Sequence, residues 1–276
     1  MSDAAPSLDA LAPGVYAWMA EQPGHGRTNA GVVVDADGIT VVDSLMVASQ
    51  WEPFAQAAEA LAMPIPRLVL TSSHIEFSGG TSRFRLPAVY GSAQASALLD
   101  LPANPEVFRR IFPDFAPQLS DDLRTRPVTH IVAEPAYVSA AAVAMPTGGQ
   151  TLENLVVVVP GAEIVFAGAM CSFGVTPAVY DGDPAAWADA LDTLVEMAPI
   201  VVPGHGPIGG EEEVRDLQAY LRACVAAEGD PARLGDGPWV EWSGREWDVV
   251  NVERAAMLAA GDPTPPPTLL TRLGLG

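Results

Sequence analysis

Short runs of apolar, often β-branched residues recur along this chain, separated by polar turn residues. Asn29 to Val34 and Ile39 to Asp43 flank Asp35-Ala-Asp-Gly38, which predicts a hairpin. Gly14 to Ala20 predicts a strand ahead of it, and Gln22 to Arg27 a turn-rich loop. Helical spacing from Gln50 to Leu61 predicts a helix stopped by Pro64 and Pro66. Arg67 to Thr71 reads as a short buried strand, Gly79-Gly80 as the start of a helical segment, and Ala88 to Gly91 as a further strand.

Residues 101–127 break this rhythm. Five prolines interrupt Phe108, Ile111, Phe112 and Phe115, which predicts one short helix inside a long excursion beside the pocket. The second half then repeats the earlier logic. Val128 to Val132, Ala136 to Ala144, Leu155 to Val159 and Ile164 to Ala167 are strand-like. Asp183 to Met197 predicts a helix with Asp183 as N-cap and Pro184 in its first turn. Pro199 to Val202 predicts a strand running into Pro203-Gly-His-Gly-Pro207, and Glu211 to Glu228 a helix with an acidic first turn. A helical, Trp-rich tail over 211–276 closes the chain.

Two halves that each give strands and then helices imply two sheets packed face to face with helices outside. The expected class is α+β, a four-layer αββα sandwich. No long linker interrupts it, so residues 1–276 are expected to form a single domain.

Composition narrows the function classes. Hydrophobic residues make up 49% of the 276, as a packed globular chain requires. The net charge is -20, and all 14 basic residues are arginine, which excludes the clustered cations that nucleic acid or anionic membranes need. No apolar run reaches transmembrane length, and the start lacks a secretory pattern, so a cytoplasmic protein is expected. Cys171 and Cys224 stand in no Cys-x-x-Cys or Cys/His cluster.

The chemistry concentrates in Thr71-Ser-Ser-His-Ile-Glu-Phe-Ser-Gly-Gly80. Its outline is similar to Thr-His-x-His-x-Asp-His-x-Gly-Gly, the loop of the metallo-β-lactamase superfamily. Further matches follow in order: Thr28-Asn-Ala-Gly31, Val42-Asp-Ser44, Gly148 to Asn154, Val165-Phe-Ala-Gly168, Asp181-Gly-Asp-Pro184 and Pro203-Gly-His-Gly-Pro207. Within the superfamily the chain most resembles the SoxH-like, quinoprotein-relay-associated hydrolases. That resemblance implies the αββα fold and a pocket at the strand ends.

It also implies seven metal-ligand positions, of which this chain keeps few. His74 and His205 are retained, and Glu76 replaces an aspartate. Ser72 and Phe77 stand for two histidines, Gln150 for a third, and Ala169 for the bridging aspartate. A four-ligand zinc site binds with roughly 10–16 kcal/mol, or about 3–4 kcal/mol per ligand. Two ligands per metal would then reach micromolar affinity at best, roughly. The expectation is no cofactor, or at most one weakly bound metal.

The candidate catalytic residues are therefore His74, Glu76 and His205, with imidazole and carboxylate suited to acid–base work. Glu76 is a candidate to orient His74, or to act as a base with a raised pKa. Ser72, Phe77, Gln150, Ala169, Cys171 and Phe112 are the candidate substrate-contacting residues. Cys171 enters that set because residues two apart on a strand share a face, here with Ala169. Ser72 and Ser73 lack a nucleophile elbow, which argues against a Ser-His-Glu nucleophile. His25 is an alternative ligand from an overhanging loop, and His130 reads as structural. The reading is an enzyme performing metal-independent hydrolysis, cyclisation or elimination on a small, largely apolar substrate. Its alternatives are a non-catalytic metabolite- or partner-binding relative and a metal-dependent hydrolase with unconventional ligands.

Overall fold

The computed structural model describes residues 7–275. One sheet runs in chain order through β1 (Leu8–Ala12), β2 (Val15–Trp18), β3 (Ala30–Asp35), β4 (Gly38–Val42), β5 (Arg67–Val69), β6 (Ala88–Gly91) and β7 (His130–Ile131). It is antiparallel through β4 and parallel from β4 to β7. The second sheet has the order β12-β11-β10-β9-β8, built from β8 (Ala136–Tyr137), β9 (Val143–Pro146), β10 (Leu155–Val159), β11 (Ile164–Ser172) and β12 (Ile200–His205). The β3–β4 hairpin closes at Asp35 opposite Gly38, where the turn residues place it.

Strand alternation sets the layers. In β10, Leu155 and Val157 face a core shared with Val33, Val42 and Val69 of the other sheet. Val156 and Val158 face the opposite way, toward Trp187, Leu191, Leu217 and Leu221. Those four belong to α5 (Pro184–Val195) and α6 (Glu211–Ala226). On the far side of the first sheet, Ile39, Val41 and Leu68 pack on Phe54, Ala55 and Ala58 of α1 (Ala48–Glu59). The result is helix, sheet, sheet, helix: the αββα sandwich. Asp183 caps α5, accepting from the amides of Ala185 and Ala186.

Several segments depart from expectation. The run Ala136 to Ala144 is a hairpin, β8 and β9, because Val138 turns back to donate to Ala142 O. The excursion carries α4 (Pro105–Ile111) and a 3-10 turn, Pro113–Gln118, after α2 (Ile75–Ser78) and α3 (Ala93–Leu99). Gly79-Gly80 opens only a 3-10 turn. In the tail, α7 (Asp248–Ala259) is followed by α8 (Pro267–Arg272), as its helical reading expects. Among the described residues, no helix is long and apolar enough to cross a membrane.

Candidate active site

The site lies where β5, β11 and β12 end. Thr71 is fixed first: its amide and hydroxyl donate to the two oxygens of Asp43 at 2.8 and 2.7 Å. Asp43 is fully enclosed, and burial pushes its carboxyl up to about 7 despite these bonds. Gly168 of β11 lies against Thr71 with φ +49°, and a Cβ there would meet Thr71 Oγ1 at 1.9 Å. Only glycine admits this approach of the two sheets.

The serines serve the loop itself. Ser72 Oγ donates to Glu153 Oε1 at 2.7 Å, and the Ser73 amide and hydroxyl donate to the same carboxyl group at 2.9 Å. Ser72 Oγ in turn accepts from the His74 amide. Ser72 is fully buried and bonded, so it presents no nucleophile. Glu153 went unassigned in the sequence because its partners lie about eighty positions earlier.

Held this way, His74 Nε2 lies 2.8 Å from Asp181 Oδ2, and its ring stacks on Tyr180 with centroids 5.7 Å apart. Burial alone would lower the imidazole pKa; the charge and hydrogen bond of Asp181, aided by Glu153 and Glu76, push it up to about 9. The same pairing overcomes burial at Asp181 and holds its carboxyl below the ordinary value. The sequence signalled Asp181 only as part of a fold signature.

Glu76 does not orient His74, which corrects that expectation. Its Oε1 lies 2.9 Å from His205 Nε2 instead. Burial would raise the Glu76 carboxyl, but the neighbouring His205, then His25 and His74, hold it below its ordinary value. It is a carboxylate, not a base with a raised pKa. The Glu76–His205 contact is close but off-axis, so His205 Nε2 is buried without an aligned hydrogen-bond partner. Asn29 donates to the carbonyls of Pro203 and Gly206 and so shapes the loop that carries His205.

His74, Glu76 and His205 line one small cavity with Gln150, Ala169 and Phe112. Gln150 Nε2 is tied to Ala178 O at 3.1 Å. Phe77 is buried beneath, its ring edge-on to His205 at 5.8 Å. Cys171 lies elsewhere: it packs among Trp187, Leu217 and Tyr220, and burial pushes its thiol well up. The pairing of β11 with β12 slips between Gly168 and Ser172, which turns Ser172 toward the cavity in place of Cys171. His25 does reach the cavity, its ring 6.2 Å from His205 and 5.0 Å from Trp247. Burial and the adjacent His205 lower its pKa to about 4. His130 stacks on Tyr90 at 4.8 Å, away from this site. A larger cavity of about 900 Å3, near Trp51, Met63 and Leu86, holds no histidine.

No family model matches the chain. A metallo-β-lactamase type 2 from Bacteroides fragilis is 30% identical over 90 residues, which is 30% of this chain and 36% of that relative's length. The chain therefore matches about a third of that curated relative. Solved metallo-β-lactamases superpose far more widely. FIM-1 from Pseudomonas aeruginosa, in a mono-zinc form, gives a TM-score of 0.58 at 24% identity over 80% of this chain and 96% of its own. An enzyme from Erythrobacter litoralis gives 0.59 at 20% over 80% and 98%. TMB-1 gives 0.62 at 18% over 79% and 97%. The fold is that of the metallo-β-lactamases.

That fold implies zinc, which needs three or four donors around one point. Here Asp181 occupies His74 Nε2, Glu76 is turned onto His205, and Phe77 and Ala169 offer no donor. Among the described residues, no group of three His, Cys, Asp or Glu side chains is disposed to hold a metal ion. The residues present do not fit a zinc pair.

Proposed function

We propose that this chain is a metallo-β-lactamase-superfamily enzyme whose metal site has given way to an acid–base site, acting without zinc on a small, largely apolar substrate. The observation that carries this reading is the His74–Asp181 pair, a charged hydrogen bond at a position where the superfamily's loop supplies a metal ligand.

With Nε2 held by Asp181, the Nδ1–H of His74 is the proton the ring can give. The raised pKa keeps that proton in place at neutral pH, which makes His74 a general acid. It protonates a carbonyl oxygen or a leaving atom. Glu76, ionised on the same cavity wall, accepts a proton or steadies positive charge. His205, with Nε2 2.9 Å from Glu76 Oε1, steadies that carboxylate. Ester, lactone or thioester hydrolysis, cyclisation and elimination all use such a donor and acceptor.

A non-catalytic role has one observation in its favour. The cavity between His74 and His205 has only about 20 Å3 of free space, room for about one water.

A panel of neutral esters, lactones and thioesters tests the reading. For any compound turned over, His74→Gln should lower the rate by about 10²–10⁴-fold. His130→Gln, away from the site, should leave it unchanged. Full activity in His74→Gln would refute the assignment.

A further inference from the structure

His74 and Asp181 also form the polar end of a second cavity, of about 290 Å3. Its remaining wall is mostly apolar, with Leu98 and Leu101 at the end of α3, Phe108 of α4, and Ile75. Leu98 is 50% exposed and Leu101 63%, so two large apolar side chains face water at its rim. A ligand that covered them would gain the free energy of removing that surface from water. The volume sits at the lower end of the roughly 300–1,000 Å3 range of ligand pockets.

Charge narrows the ligand further. Among the described residues, no arginine lines this slot or the enclosed cavity, and the chain has no lysine. Among the described residues, the one basic side chain on its wall is His74, and Asp181 already engages it. An anionic head group would enter uncompensated, beside a carboxylate, in a chain of net charge -20.

We infer that this slot is the substrate-tail subsite. It takes the uncharged alkyl or aryl tail of a carbonyl-bearing molecule and sets the carbonyl oxygen against His74. The inference rests on His74 being the proton donor. The excursion then has a purpose: Phe108 and Phe112 wall a slot whose length selects the tail.

Calorimetry with straight-chain primary amides, propanamide to octanamide, and the matching carboxylates tests this. Affinity should rise about two- to fourfold per methylene until the slot is full. The carboxylates should bind at least about tenfold more weakly. Leu101→Glu replaces a side chain already facing water, so Tm should hold while the longest amide loses about tenfold or more in affinity. Leu86→Glu, at a residue 94% exposed in the separate 900 Å3 cavity, should change nothing. Affinity independent of chain length, equal binding of carboxylates, or an equal loss in Leu86→Glu would overturn the subsite. Binding needs no turnover, so the two readings fail separately. Length-dependent binding by a protein without proton-transfer activity supports the subsite and removes the acid–base reading. Turnover without length-dependent binding removes the subsite alone.

Discussion

His74 and Asp181 are 107 residues apart in sequence and 2.8 Å apart in space, Nε2 to Oδ2. His74 is delivered by the loop after β5, and Asp181 by the segment entering α5. Their meeting makes His74 one end of a hydrogen bond to a carboxylate. Four tests follow from that pairing and from the scaffold beneath it.

Asp181→Asn should uncouple the imidazole. With the carboxylate gone, burial is opposed only by the charges of Glu153 and Glu76, and the His74 pKa should fall from about 9. A histidine with a raised pKa contributes stability below its unfolded value and loses it as pH rises through the folded value. The depressed carboxyl of Asp181 contributes above 3.8 and loses that as pH falls through its own folded value. Wild type should therefore lose stability between about pH 6.5 and 9, and the variant should lose less. Imidazole titration by NMR and Tm against pH check this. An unshifted His74 titration would contradict it.

Asp43→Asn should flatten a second pH dependence. The Asp43 carboxyl is raised from 3.8 to about 7, so its contribution is full below 3.8 and lost as pH rises through about 7. Asparagine can still accept from the Thr71 amide and donate to its hydroxyl. The variant should therefore equal or exceed wild-type Tm above about pH 7 and lose its advantage in acid. A variant destabilised equally at all pH values would show that the charge state of Asp43 is not the cause.

Ser72→Ala separates scaffold from nucleophile. The change removes the bond to Glu153 and leaves a buried acceptor less satisfied, at a cost of about 1–3 kcal/mol. Turnover should stay within about tenfold of wild type, whereas removing a true nucleophile costs about 10⁴-fold or more. Rates and thermal melts on the same preparation decide between them.

The layers of the fold were readable because each obeys a local rule. Alternation in Leu155 to Val159 gives one face to each neighbouring layer, and Asp183 with Pro184 starts α5 as a capped helix should. The three titratable candidates in the Ser72 to Phe77 loop and at His205 also meet at one cavity. The partners that hold this loop were not readable. Asp181 reaches His74, and Glu153 reaches Ser72, only after the two sheets close, and no local period records that distance. Cys171 shows the opposite failure. The two-residue rule stops holding across Gly168 to Ser172, where β11 slips against β12. His25 came from a loop with no pattern beyond its glycines, yet it lies against Trp247 at the cavity wall.

On the proposed function, these side chains serve acid–base chemistry and hold no zinc pair. Elemental analysis of protein purified without chelator, equilibrated with micromolar zinc and then desalted, tests it most directly. Well under about one zinc per chain is expected, with turnover unchanged by chelator. About two zinc per chain, with activity lost on their removal and regained on their return, would contradict it.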